Sequence, residues 1–212
     1  MKKPFIHFPL ATLLLSAGLC FASNNDTLVR PLQDQWAQIK YKQDAKQHAD
    51  AYRALAEQAG KLAEIHPSQA EPLIWQGIAV SSEAGAKGGL GALSLAKQAK
   101  LLFEQAIQLD DSALDGSAYT SLATLYAKVP GWPLGFGDKA KADELFKKAL
   151  ALNPQGIDSN FLYADFLVDQ GKNTEAAKHL DTAFKAAPRP GREVADAGRK
   201  QEAEALLKKI KP

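Results

Sequence analysis

Between Ile157 and Pro188 apolar and small residues recur at gaps of three and four. Tyr163, Ala164 and Leu167 fall on one face of a first helix, and Ala176, Leu180, Ala183 and Phe184 on one face of a second. Asp169-Gln170-Gly171-Lys172-Asn173 separates them, with Gly171 where the chain must reverse, and Pro188 follows the last periodic residue. The pattern predicts a hairpin of two amphipathic helices. Such a hairpin cannot bury its apolar face alone, so its neighbours are expected to repeat it.

They do. Ala142, Phe146, Ala149 and Pro154 lie 34 residues before Ala176, Leu180, Ala183 and Pro188. Ala99, Phe103 and Ala106 lie 43 residues before that set, and a further copy ends at Pro67, 44 residues before Asp111. This is the tetratricopeptide spacing, two helices in about 34 residues. The fold class that follows is all-α: a TPR-like α-solenoid of three to four helical hairpins with a C-terminal capping helix.

Residues 23–69 form a degenerate first pair. Trp36 and Ile39 mark one buried stripe, and Ala45, Ala49, Tyr52, Leu55, Ala56, Ala59 and Leu62 another. A bend near residues 41–46 would make two helices, and one long helix fits nearly as well. The repeats proper occupy residues 70–188. Glu71-Pro72 opens a helix expected to stop at Gly85, with Gly77, like Ala123 and Ala164, at the small position where paired helices approach closely. Its partner runs from Leu93 to Leu109. The third pair starts at Ser117, after Asp115-Gly116, and its partner covers residues 138–152. Measured against the 34-residue unit, the second pair carries ten extra residues and the third nine. These place inserted loops near 85–92 and 129–135, side by side on one edge. Residues 189–212 make the capping helix, with Val194, Ala197, Ala203, Leu206, Leu207 and Ile210 facing inward.

At the N-terminus, residues 1–22 have the parts of a secretory signal. Lys2 and Lys3 precede an apolar stretch from Ile6 to Leu19, and Ala22 ends a tolerable cleavage site. His7, Pro9, Ser16 and Gly18 interrupt the stretch, which argues against a permanent span. Periplasmic export follows. Lipidation at Cys20 is the alternative, though lipoprotein signals carry a small residue where this chain has Leu19. Removing residues 1–22 takes away two lysines, no acid and the one cysteine, leaving 24 basic residues against 24 acidic. That balance gives no footprint for nucleic acid or an anionic membrane, and a cysteine nucleophile is excluded from the mature chain.

Candidate chemistry is sparse. His48, His66 and His179 are isolated, without a second ligand at metal spacing, and no nucleophile elbow or acid–base pair is evident. The chain reads as a binding protein with no cofactor, not an enzyme. The GAKGGLGAL stretch, with Lys87, lacks the ending a phosphate loop needs and reads as a tight reversal or one wall of a site. In the second loop Trp132, Leu134 and Phe136 are held between prolines and glycines. They either cover the end of the stack or offer rigid apolar surface to a ligand or protein partner. Arg189 and Arg192, beside Pro190-Gly191, could clamp a carboxylate; ordinary solvated charge is the alternative.

Three stretches, AEPLIWQGIAVSSEAGAKGGLGAL from Ala70, DGSAYTSLATLYAKVPGWPLGFGDKAKADELFKKALALNP from Asp115 and RPGREVADAGRK from Arg189, make the chain resemble exported proteobacterial tetratricopeptide proteins. More distantly it is similar to the TatT-type subunits associated with TRAP transporters. That resemblance implies a periplasmic helical protein, oligomeric in some members, working beside a substrate-binding protein in uptake of small hydrophobic or carboxylate ligands. It implies no catalytic residue. Two functions follow: recognition of a protein partner through the solenoid groove and the paired loops, or binding of a small ligand as a transport-associated subunit.

Overall fold

The computed structural model describes residues 24–210, and the expected signal and Cys20 lie outside them. Nine α-helices are found among the described residues: α1 (Asn24–Lys42), α2 (His48–Ile65), α3 (Ala70–Lys87), α4 (Gly89–Leu109), α5 (Ala113–Lys128), α6 (Lys139–Leu152), α7 (Ile157–Asp169), α8 (Asn173–Lys185) and α9 (Glu193–Ile210). No helix among them is long and apolar enough to cross a membrane. Sequential helices pair as α1–α2, α3–α4, α5–α6 and α7–α8. The bend between α1 and α2 is a short 3-10 turn at Ala45–Gln47, opened by Asp44, whose carboxylate accepts from the Lys46 amide at 2.9 Å. Ala45 is exposed in that turn and does not join the buried stripe.

The repeat positions are the core. Ala99, Phe103, Ala106, Ala142, Phe146, Ala149, Ala176, Leu180 and Ala183 are all buried. Gly77 faces Phe103 so closely that a Cβ there would stand 2.6 Å from the ring. The first helix of each pair also packs against the next: α1 on α3, α3 on α5, α5 on α7, and α7 on α9. They run parallel. Trp36 on α1 donates to Ser82 on α3 at 2.9 Å, and Lys128 at the end of α5 bridges Asp165 and Asp169 at the end of α7, at 2.7 and 2.6 Å. The stack does not stay open. α9 returns to α1, with Arg30 donating to the Pro190 carbonyl at 3.1 Å and Tyr41 to Glu202 at 3.1 Å. Five parallel helices therefore form a closed inner ring, and α2, α4, α6 and α8 lie outside it. The capping helix is also the closing element.

Two expectations about the elements change. The first insertion is not a loop. α3 continues through Gly85 to Lys87, and the chain reverses at Gly88 and Gly89, both at φ +62°, directly into α4. Helical residues flank Gly85, and one glycine without a turn partner does not stop a helix. The extra residues lengthen the pair to 18 and 21 residues, against 13 and 13 in α7 and α8. The second insertion is a loop, and Gly135 lies against Leu93 of α4, so the two do share an edge. On α9 the inward face is Ala195, Gly198, Arg199, Ala203 and Leu206, whereas Ala197 points to solvent and Val194 is half-buried. Ala203 and Leu206 are buried as expected, and Leu207 and Ile210 pack against the core; an arginine at the centre of the face obscures its first turns.

Two glycines on α3 should respond in opposite directions. Gly77→Ala forces the Phe103 ring to move and should destabilise by about 1–2 kcal/mol, after about 1 kcal/mol of helix propensity is regained. Gly85→Ala meets nothing within 4 Å and should stabilise by about 1 kcal/mol. Urea unfolding followed by circular dichroism separates the two; equal shifts would contradict this packing.

Candidate functional site

The ring is closed at one end by ions. Asp158, in the first turn of α7, accepts from Arg189 at 2.8 Å and from Arg199 at 2.7 Å. Arg189 also meets Asp196, at 2.6 Å, and Arg199 meets Glu202 at 2.7 Å while lying 4.7 Å from the centre of the Phe161 ring. Protein surrounds Asp158, yet a third of its side chain stays accessible, so it lines a recess. Burial pushes its pKa up, but Arg189, Arg199 and Arg192 outweigh burial and hold the carboxyl well below the usual range. Burial alone would lower the Arg199 pKa; Asp158, Tyr41 and Glu202 reverse that and raise it. Arg192 makes no ion pair among the described residues. Its guanidinium sits 5.6 Å from the centre of the Trp75 ring, and burial, then Arg189, lowers its pKa.

Next to this network a cleft of about 660 Å³ opens between α1, α2, α3 and α9. Tyr41, His48 and Tyr52 supply aromatic wall, and Gly85, Ala86, Gly198 and Ala205 leave the space. The small residues matter: a Cβ at Gly198 would stand 2.5 Å from the Tyr41 ring. Glu202 is the polar floor. It receives Tyr41 Oη at 3.1 Å, Lys40 Nζ at 3.0 Å and Arg199 at 2.7 Å, so its charge is already met. Burial, then Glu202 and Asp158 against the pull of Arg199, pushes the Tyr41 phenol far up, which keeps it a neutral donor. The cleft thus offers aromatic faces, with Ser82 and Gln201 as its uncharged polar groups. That lining suits a small apolar or amphipathic molecule.

The loop after α5 is the second feature. Gly137 N donates to Pro130 O at 2.9 Å, Asp138 N to Tyr126 O at 3.0 Å, and Leu134 and Gly135 amides both to Gly131 O at 3.1 Å. Phe136 packs edge-on against Tyr126, with centroids 5.5 Å apart. Trp132 and Leu134 do not cover the stack: they are 90% and 73% exposed. The loop therefore splits the three apolar residues into one anchor and two projecting groups.

The site residues expected from sequence scatter accordingly. Trp132, Leu134 and Lys87 are exposed, and Phe136 is half-buried in the anchor. Arg189 does clamp carboxylates, but they are internal, Asp158 and Asp196, so solvated charge is the wrong description. Lys40, Tyr41, Tyr52, Gly85 and Glu202 of the cleft carry no local motif. Packing of α1, α2 and α3 gathers the first four, and the return of α9 to α1, some 160 residues along the chain, adds Glu202.

The model of one protein family, TRAP transporter T-component, matches residues 30–211, from within α1 through α9, and includes the closing contact. The chain belongs to that family. No curated protein matches it. It is a TRAP transporter-associated protein, and membership extends over both the cleft and the loop.

Asp158→Asn should loosen the closure of this T-component. Discounted for its accessible third, the loss should be about 1–3 kcal/mol at neutral pH. A depressed native pKa contributes stability above the unfolded value and loses it as pH falls through the native one. The gap between parent and variant should therefore hold constant above about pH 5 and shrink below about pH 4. Thermal unfolding across pH 3–7 measures it, and a gap that grows in acid would contradict the assignment.

Proposed function

We propose that this T-component is an exported, non-catalytic subunit of a TRAP uptake system. It holds a small ligand in the cleft between α1, α2, α3 and α9, and it works beside a substrate-binding protein in the periplasm. The observation that carries the reading is the cleft itself, in a chain matched to the family from residue 30 to 211. Its aromatic walls and small-residue floor favour the apolar part of a ligand. Gln201 is the polar group left to orient it, since the Ser82 hydroxyl already donates to the Ile78 carbonyl and accepts from Trp36. The signal-like residues 1–22 support export.

Recognition of a protein through an open solenoid groove receives less support, because the helices that would wall the groove pack into a ring. The tetratricopeptide spacing then supplies the curvature that closes the ring.

Gly85→Phe tests the reading. The glycine lines the cleft, and a Cβ there touches nothing, so the added ring enters the cleft without disturbing α3. Small molecules captured from a periplasmic extract by the parent protein, identified by mass spectrometry, should be retained at least about tenfold less by the variant, at unchanged or higher melting temperature. A variant that retains them equally places the ligand elsewhere.

A further inference from the structure

The formal charge of the chain nearly cancels, but the charge is sorted by edge. The parallel helices α1, α3, α5, α7 and α9 all end at one edge, and each turn there has a lysine in or beside it. Lys42 precedes the first turn, Lys87 the second; Lys139 follows the third, and Lys172 lies in the fourth. The last turn of α9 adds Lys208 and Lys209. None of the six is paired with a carboxylate among the described residues. Of the acids bordering these turns, Asp44 and Asp138 accept from backbone amides at the starts of helices and Asp169 holds Lys128, while Glu175 stands exposed three residues after Lys172. At the opposite edge residues 66–69, 110–112, 153–156 and 186–192 contain no lysine; Lys185, beside the last, is held by Asp181, Arg189 by Asp158 and Asp196, and Arg192 lies against Trp75.

From the middle of the lysine edge projects the tip Trp132-Pro133-Leu134, on a loop whose backbone is fixed by four hydrogen bonds and by Phe136. Leaving two large apolar side chains in water is unfavourable, and contact with an apolar phase relieves it. We infer that this edge rests on an anionic lipid bilayer, with Trp132 and Leu134 at the headgroup–acyl boundary and the lysines over the headgroups. Trp is favoured at that depth, and polybasic charge together with an apolar group makes the two signals that stable surface attachment needs. An acidic protein face is the less fitting occupant. The lysines are spread about one per turn along the whole edge on flexible stems. A fluid surface whose anions can rearrange answers that distribution better than carboxylates at fixed positions. The inference does not depend on what fills the cleft.

Trp132 reports directly on the contact, because Trp75 is buried and Trp36 is held against it with its indole N–H on Ser82. The full chain would be mixed with vesicles of an equimolar phosphatidylglycerol–phosphatidylcholine mixture, with and without brominated acyl chains. Emission should shift to the blue and be quenched by bromine, and Trp132→Phe should remove both effects, even if another segment holds the protein on the vesicle. The triple change Lys42→Glu, Lys87→Glu and Lys139→Glu should weaken partitioning at least about tenfold, as should salt, while the helical signal stays unchanged. Emission indifferent to vesicles, or the same response to pure phosphatidylcholine, overturns the inference. So does a response to a purified substrate-binding protein with vesicles inert, which would make the edge a protein-docking face.

Discussion

Closure between the first and last ring helices is the constraint on which the rest depends. Stacked helical pairs have no inherent reason to stop, and an open stack leaves an apolar face bare at each end. Here the two ends cover each other. The contact combines a carboxylate shared by two arginines, a phenol on Glu202 and a glycine at the crossing where Tyr41 would admit nothing larger. A buried ion cluster of this kind adds little net stability compared with apolar packing, but removing one member leaves charge unmet. Its value is in geometry. It fixes how α9 is rotated against α1 and α7, and that rotation sets the shape of the cleft.

The cleft and the closure are one construction. Glu202 receives Arg199 from one side and Tyr41 and Lys40 from the other, so the group that locks α9 in place is also the floor of the cleft. Anything that shifts α9 alters the site, and a molecule seated among Tyr41, Gly85 and Gly198 braces α9 against α1 and α3 in turn.

The repeats were open to reading because helix packing imposes a period: Ala99, Phe103 and Ala106 recur as Ala142, Phe146 and Ala149, and all six are buried. Closure had no such sign. Arg199 occupies the middle of an inward face, so apolar periodicity found Ala203, Leu206, Leu207 and Ile210 but misplaced Ala197 in the first turns of α9. The glycines at 88 and 89 were recognisable as a reversal, but the helical continuation through Gly85 depends on packing and not on local composition. Trp132 and Phe136 look alike in sequence, and only the position of Tyr126 decides which is anchor and which projects. A charge sum likewise cannot show where along the fold the lysines stand. The cleft residues, drawn from both ends of the chain, have no spacing to detect.

Joining the two ends also sets an order of events. Arg30 meets the Pro190 carbonyl across 160 residues, so α1 exists long before the element that completes its surroundings. Until α9 arrives the inner face of α1 lacks its final partner. The domain becomes a cooperative whole only when its last helix arrives, and a chain truncated before α9 would lose the cleft along with the lock.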